Sequence, residues 1–94
     1  MTYRLSYGTV RESQRRAIHV LRVENGTLTL AEIENLAERM RERLQHRGEL
    51  TAEVVIIQRF AKETLRLFGA PYAATRVRAA MFNTAVSWAP FTLE

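Results

Sequence analysis

The hydrophobic positions of this chain change period as it is read from the N-terminus. Tyr3, Leu5 and Tyr7 alternate with Arg4, Ser6 and Gly8. That period of two predicts a half-buried strand over 3–10. Glu12, Ser13 and Gln14 then read as a connecting loop. From Ala17 to Val23 the sequence AIHVLRV is apolar on both faces for most of its length. Such a run predicts a central strand over 16–24 with a neighbour on each side. Asn25-Gly26 is a hairpin signal, because a type I′ turn needs positive φ at both central residues, and Thr27-Leu28 would begin a return strand at 27–28.

The period then lengthens to that of a helix. Thr29-Leu30-Ala31-Glu32 matches a capping box, in which each of two side chains satisfies the other residue's backbone amide. Leu28 and Ile33 stand at the positions of a hydrophobic staple. Ile33, Leu36, Ala37, Met40 and Leu44 form one apolar stripe, and Gly48 follows His46 and Arg47 as a helix end. A helix over 30–47 is predicted. Its outer surface is divided by charge, with Glu34, Glu38 and Glu42 on one ridge and Arg39, Arg43 and Arg47 on the next. Cross-ridge pairs such as Glu38–Arg41 would offset the repulsion within each ridge.

Placed on a helix, the stretch from Leu50 to Gly69 puts Val54, Ile56, Ile57, Phe60, Ala61, Thr64, Leu65, Leu67 and Phe68 on an arc of roughly half the circumference. Gln58, Arg59, Lys62, Glu63 and Arg66 fall opposite. Thr51 suits the N-cap, Leu50 and Val55 a second staple, and Gly69 with Pro71 the stop. The pattern predicts a helix over 52–68, wide enough in its apolar face to be covered from two directions. A third helix over 72–88 would place Val77, Met81, Thr84, Ala85 and Trp88 together, ending before Pro90. The alanines between Ala73 and Ala80 favour it by propensity, although Phe82, Thr84, Val86 and Trp88 also alternate as an edge strand would. The expected fold is therefore α+β, one domain over 1–94: a small N-terminal antiparallel sheet of two or three strands packed against two or three helices.

Composition narrows the chemistry. There is no cysteine, which excludes disulfides and thiolate metal sites and fits a reducing, cytoplasmic setting. The apolar runs Val54–Ile57 and Ala79–Phe82 are too short to span a membrane, and the N-terminus shows no secretory pattern. The formal net charge is +4, and every basic residue but Lys62 is arginine, while every acidic residue is glutamate. Arginine makes planar bidentate contacts with phosphate or carboxylate, but a GC-rich coding sequence would give the same bias.

With no aspartate and no cysteine, Asp-containing triads and thiol nucleophiles are excluded. His19 reads as a tucked-in strand residue and His46 as a partner for a helix C-terminus; neither has neighbours at metal-ligand spacing. No glycine-rich phosphate loop is present. The sequence thus predicts no catalytic, cofactor or metal site. It points instead to a non-enzymatic protein docking on a protein partner, as a small inhibitor or accessory factor of the kind phages and mobile elements encode. The residues expected to meet that partner are Arg11, Arg15 and Arg16 of the hairpin and Arg39, Arg43 and Arg47 of the helix. The alternative is a nucleic-acid-binding regulator using the arginine-rich hairpin loop, where charge would lie beside Tyr3 and Tyr7. Apolar Trp88, Phe91 and Leu93 near the C-terminus add the expectation of a homodimer closing over that end.

Overall fold

A computed structural model describes residues 3–13, 16–48, 53–60, 64–83 and 86–92. In chain order the elements are β1 (Arg4–Ser13), β2 (Arg16–Glu24), α1 (Leu30–His46), β3 (Glu53–Phe60), β4 (Thr64–Phe68), α2 (Pro71–Asn83) and β5 (Ala89–Phe91). The strands form one five-stranded sheet in the order β4-β3-β2-β1-β5. Strands β1 and β2 are antiparallel, as are β3 and β4, and β5 runs antiparallel to β1. The central pair, β2 and β3, is parallel, with α1 as its crossover. The fold is α+β, with a mixed sheet of five strands rather than the two or three antiparallel strands expected.

The two helices lie on opposite faces. Against α1 stand Leu5, Leu21, Val23, Val54 and Ile56, with Tyr7, Phe68 and Phe91 at the margin. Against α2 stand Ile18, Val20, Val55 and Ile57, with Val10, Leu65, Leu67 and Trp88 at the margin. Successive residues of β2 and β3 point to opposite faces, and both faces are covered, so the central stretches Ile18–Val23 and Val54–Ile57 are mainly apolar without alternation.

That is why the expected helix over 52–68 is wrong. A strand buried on both sides loses the inside–outside alternation that identifies strands, and Val54-Val55-Ile56-Ile57 then wraps onto a helical projection as an arc. Four consecutive β-branched residues fit the pleated sheet better than a helix. Gln58, expected on the solvent side, is fully buried in β3. Its Oε1 accepts from the Leu28 backbone amide at 2.6 Å, and its Nε2 donates to the Leu28 carbonyl at 3.3 Å. Those two bonds also explain why no strand forms at 27–28: the Leu28 backbone is held by a side chain, and the chain turns directly into α1. Asn25 takes the left-handed conformation at φ 60, but Gly26 does not, so the turn is not the I′ hairpin expected. The proposed caps at Leu50 and Thr51 lie outside the described residues. Gly69 closes no helix; a Cβ there would stand 2.9 Å from the Val54 carbonyl oxygen, so its role is close backbone approach.

The first helix agrees with its sequence in detail. Thr29 is the N-cap, with the Glu32 amide donating to its Oγ1 at 3.2 Å and its own amide donating to Glu32 Oε1 at 3.0 Å. The Thr29 amide and hydroxyl together hold the Glu32 carboxyl below its ordinary pKa. The buried residues are Ile33, Leu36, Ala37, Met40 and Leu44, the five of the predicted stripe. The other boundaries shift. The first strand runs three residues past Val10 to Ser13, with an irregularity between Arg11 and Ser13. The last helix ends at Asn83 instead of continuing to residue 88. Trp88 leaves the helix because it is anchored elsewhere: its ring packs on Gly8, and the Arg22 guanidinium lies 4.4 Å from its centroid.

Candidate functional site

The six arginines expected at a partner surface do not form one patch. Arg11 and Arg16 are exposed where β1 passes to β2, and Arg15 lies outside the described residues. Parallel pairing puts the start of β3 beside the start of β2, with Glu53 opposite Ile18. Only four residues separate Gly48 from Glu53, so the end of α1, with Arg47 as its C-cap, returns to that same end of the sheet. Arg11, Arg16 and Arg47 therefore share one end of the molecule. Glutamates share it too. Glu12 is 2.7 Å from Arg76 Nε, an ion pair that ties α2 to the hairpin and raises the Arg76 pKa, through its hydrogen bond first and its charge second.

Arg39 is exposed on the outer surface of α1, whereas Arg43 is engaged within the fold. Its Nη1 donates to the Thr92 carbonyl at 2.8 Å, and its guanidinium lies 5.1 Å from the centroid of Phe91. Arg43 fastens the β5 end of the chain to α1. Phe91 also stacks on Tyr7, with centroids 5.7 Å apart. Of the apolar residues expected to meet a dimer partner, Trp88 and Phe91 are packed on their own chain, and Leu93 lies outside the described residues.

His19 is 3% exposed, with Nδ1 2.6 Å from the Tyr7 hydroxyl; the Thr9 hydroxyl donates to the same oxygen at 3.1 Å. The Tyr7 and His19 rings stack at 5.8 Å. Burial places this imidazole among core side chains, away from any solute. Among the described residues, no three His, Cys, Asp or Glu side chains gather as a metal-holding group, and no helix is long and apolar enough to cross a membrane.

The feature that sequence reasoning missed is a groove of about 450 Å³ between α1 and the sheet on the β4 side. It follows from a mismatch of widths. One helix about 10 Å across cannot cover five strands spaced 4.7–4.9 Å apart. Helix α1 lies over the middle of the sheet, and β4 projects beyond it. Ile33 and Ala37 form one wall, Val54, Ile56 and Phe68 the floor, and Glu34, Glu38 and Arg41 the rim. Leu30 stands at one end, 62% exposed. Arg41 pairs with Glu38 at 3.4 Å, as its spacing predicts. Glu34 makes no ion pair among the described residues, so the rim is acidic on balance. The signal that could have found it is the assignment of Thr64–Phe68 as an edge strand, which exposes Phe68 beside the glutamate ridge of α1.

No family model, curated protein or solved structure matches this chain.

Proposed function

We propose that this chain is a non-enzymatic docking protein that binds a protein partner, as an inhibitor or accessory factor, through the groove between α1 and β4. The observation that carries the reading is the groove itself: an apolar floor open to solvent, a strongly exposed leucine at its mouth and a charged rim. Apolar anchoring in a desolvated pocket with polar groups around it is the arrangement from which protein interfaces draw most of their energy. The arginine end serves the reading as a rim that speeds encounter with an acidic partner, since such charges act mainly on association rate.

A random-peptide display library panned against the full chain tests this. Peptides retained by the wild type and released by a Leu30→Arg/Glu34→Arg double variant support the reading; both positions are exposed, so the variant should fold normally. Failure to recover any peptide sensitive to that variant overturns it.

The second reading, nucleic-acid binding, has one specific observation in its favour, the convergence of Arg11, Arg16 and Arg47 on one end. It predicts affinity for a generic duplex or single strand that falls with salt by about one logarithmic unit per phosphate contacted. Retention of tight binding at physiological salt, lost on changing those three arginines to alanine, would place the function there instead.

A further inference from the structure

Apart from the groove, we infer that the outer edge of β1 is a second docking site, for an extended segment of another protein with two aromatic side chains three positions apart. The chain's own residues 86–92 fill that site as an exchangeable plug. The seated segment shows what the site takes. Trp88 packs with the α2-face cluster and Phe91 with the α1-face cluster. Side chains an odd number of positions apart on an extended chain point to opposite faces, so a spacing of three grips the sheet edge from both sides. Each ring lies beside a guanidinium, Arg22 at 4.4 Å from the Trp88 centroid and Arg43 at 5.1 Å from that of Phe91. Cation–π attraction selects aromatic over aliphatic anchors at both points.

The receiving side is assembled without its occupant. Tyr7, on which Phe91 stacks, is fixed within β1 and β2: its hydroxyl is 2.6 Å from His19 Nδ1 and accepts from the Thr9 hydroxyl at 3.1 Å. Arg22 is paired with Glu24 of its own strand at 3.3 Å. Gly8 supplies the notch, since a Cβ there would stand 2.8 Å from Val86 Cγ1 and 3.2 Å from the Trp88 ring. Glycine inside a strand weakens the strand, and here the missing side chain is the space the indole uses. Groups held in place beforehand need little ordering when a ligand arrives.

The occupant itself is lightly held. Strand β5 pairs with β1 at Leu5, Ser6 and Tyr7 only, and Pro90, the middle residue, has no amide to donate. Ser87, Ala89, Pro90 and Thr92 are exposed, and Trp88 and Phe91 are half-buried, whereas Leu5 and Ser6 beside them are buried. Edge elements with so little burial open at free energies well below that of global unfolding. Opening makes β1 an edge strand, and a partner segment of the same chemistry satisfies its backbone by strand addition. The tethered segment competes at an effective concentration of about millimolar, so it excludes weaker ligands and acts as an autoinhibitory gate.

The experiment uses the full chain with Trp88→Ala and Phe91→Ala, which removes both anchors of the plug. A fluorescein-labelled peptide of residues 86–92 is the probe, and its anisotropy reports binding. The peptide should bind this variant saturably and the wild-type chain at least about tenfold more weakly, because the wild-type site is already filled. Adding Gly8→Ala should weaken binding about tenfold, and so should moving the peptide's aromatics to a spacing of two, which puts both on one face. Replacing the peptide's tryptophan by leucine should weaken it about threefold through the lost cation–π contact. No saturable binding by the folded variant, or binding indifferent to the aromatic spacing, would overturn the proposal. If the variant fails to melt cooperatively, hydrogen exchange on the wild type decides. Residues 88–92 and the β5-facing amides of β1 exchanging together, ahead of Ile18–Val23, support a plug that opens by itself; equal protection overturns it. Sedimentation showing a wild-type dimer that the peptide dissociates would give the edge to a second copy and overturn the assignment to a separate partner.

Discussion

The two faces of the sheet carry one helix each, yet they are closed to different degrees. On the α2 face, the helix contributes Ala73 and Val77, both fully buried, and the chain beyond it brings Val86 and Trp88 down onto Gly8. The C-terminal segment widens the cover that α2 alone provides. On the α1 face the same segment supplies Phe91, held by Arg43, but that closure is on the β1–β5 side. Nothing among the described residues does the same over β4. The difference shows where spare surface resides in a small α+β domain: the covering layer is narrower than the sheet, and function has room where no tail compensates.

The largest expected effect lies at the centre, where both faces are closed. Ile57→Ala should cost about 3 kcal/mol on the α2 face, and Ile56→Ala a similar amount on the α1 face, because both side chains are fully buried. Denaturant unfolding measures both; a near-neutral Ile56→Ala would mean that α1 does not cover β3. Gln58→Ala should cost about 2 kcal/mol, since it leaves the Leu28 amide and carbonyl buried without their partner. A helix over 52–68 would expose Gln58 and make the same change neutral, so this variant separates the two readings of that stretch.

On the α2 face, Gly8→Ala would set a Cβ 2.8 Å from Val86 Cγ1 and 3.2 Å from the Trp88 ring. The overpacking should cost about 1–3 kcal/mol and loosen the C-terminal segment. A red shift of tryptophan fluorescence reports it directly, because Trp88 is the single tryptophan. An unchanged spectrum and melting curve would mean that this face is not sealed by Trp88.

Thr29→Ala should cost about 1 kcal/mol, a fall of several degrees in melting temperature for a domain of this size. The capping box also has a pH signature. The folded-state pKa of Glu32 is lowered, so its contribution is present above the unfolded-state value and is lost as pH falls through the folded-state value. The difference in melting temperature between wild type and Glu32→Gln should therefore shrink on acidification below the ordinary carboxylate range. A difference that grows instead would contradict the bond to Thr29.

These elements also show which physics a sequence exposes. Helix α1 was legible because its signals are local: the cap, the box and the stripe all lie within one stretch and on one solvent boundary. The N-terminal strands were legible for the same reason, β1 through alternation and β2 through its apolar run. Strands β3 and β4 were not, because helices lying outside the stretch, one before it and one after it, cover opposite faces and remove the alternation. The residues between them, Ala61, Lys62 and Glu63, include no Gly, Pro or Asn to mark a turn. Gln58 was misplaced because its partner is the Leu28 backbone, thirty residues away. Of the candidate site, Glu34 and Glu38 were visible only as a charged ridge. The groove beside them depends on β4 being a strand and could not be seen without it.

The most direct test of the account is amide hydrogen exchange on the full chain, free and with a saturating groove-selected peptide. Docking in the groove predicts new backbone protection confined to its walls, around Leu30–Glu38 of α1 and Leu67–Gly69 at the end of β4, with no change around Arg11 and Arg16. Protection that appears instead at the hairpin end, with the groove walls exchanging as before, would contradict docking at the open side of the α1 face.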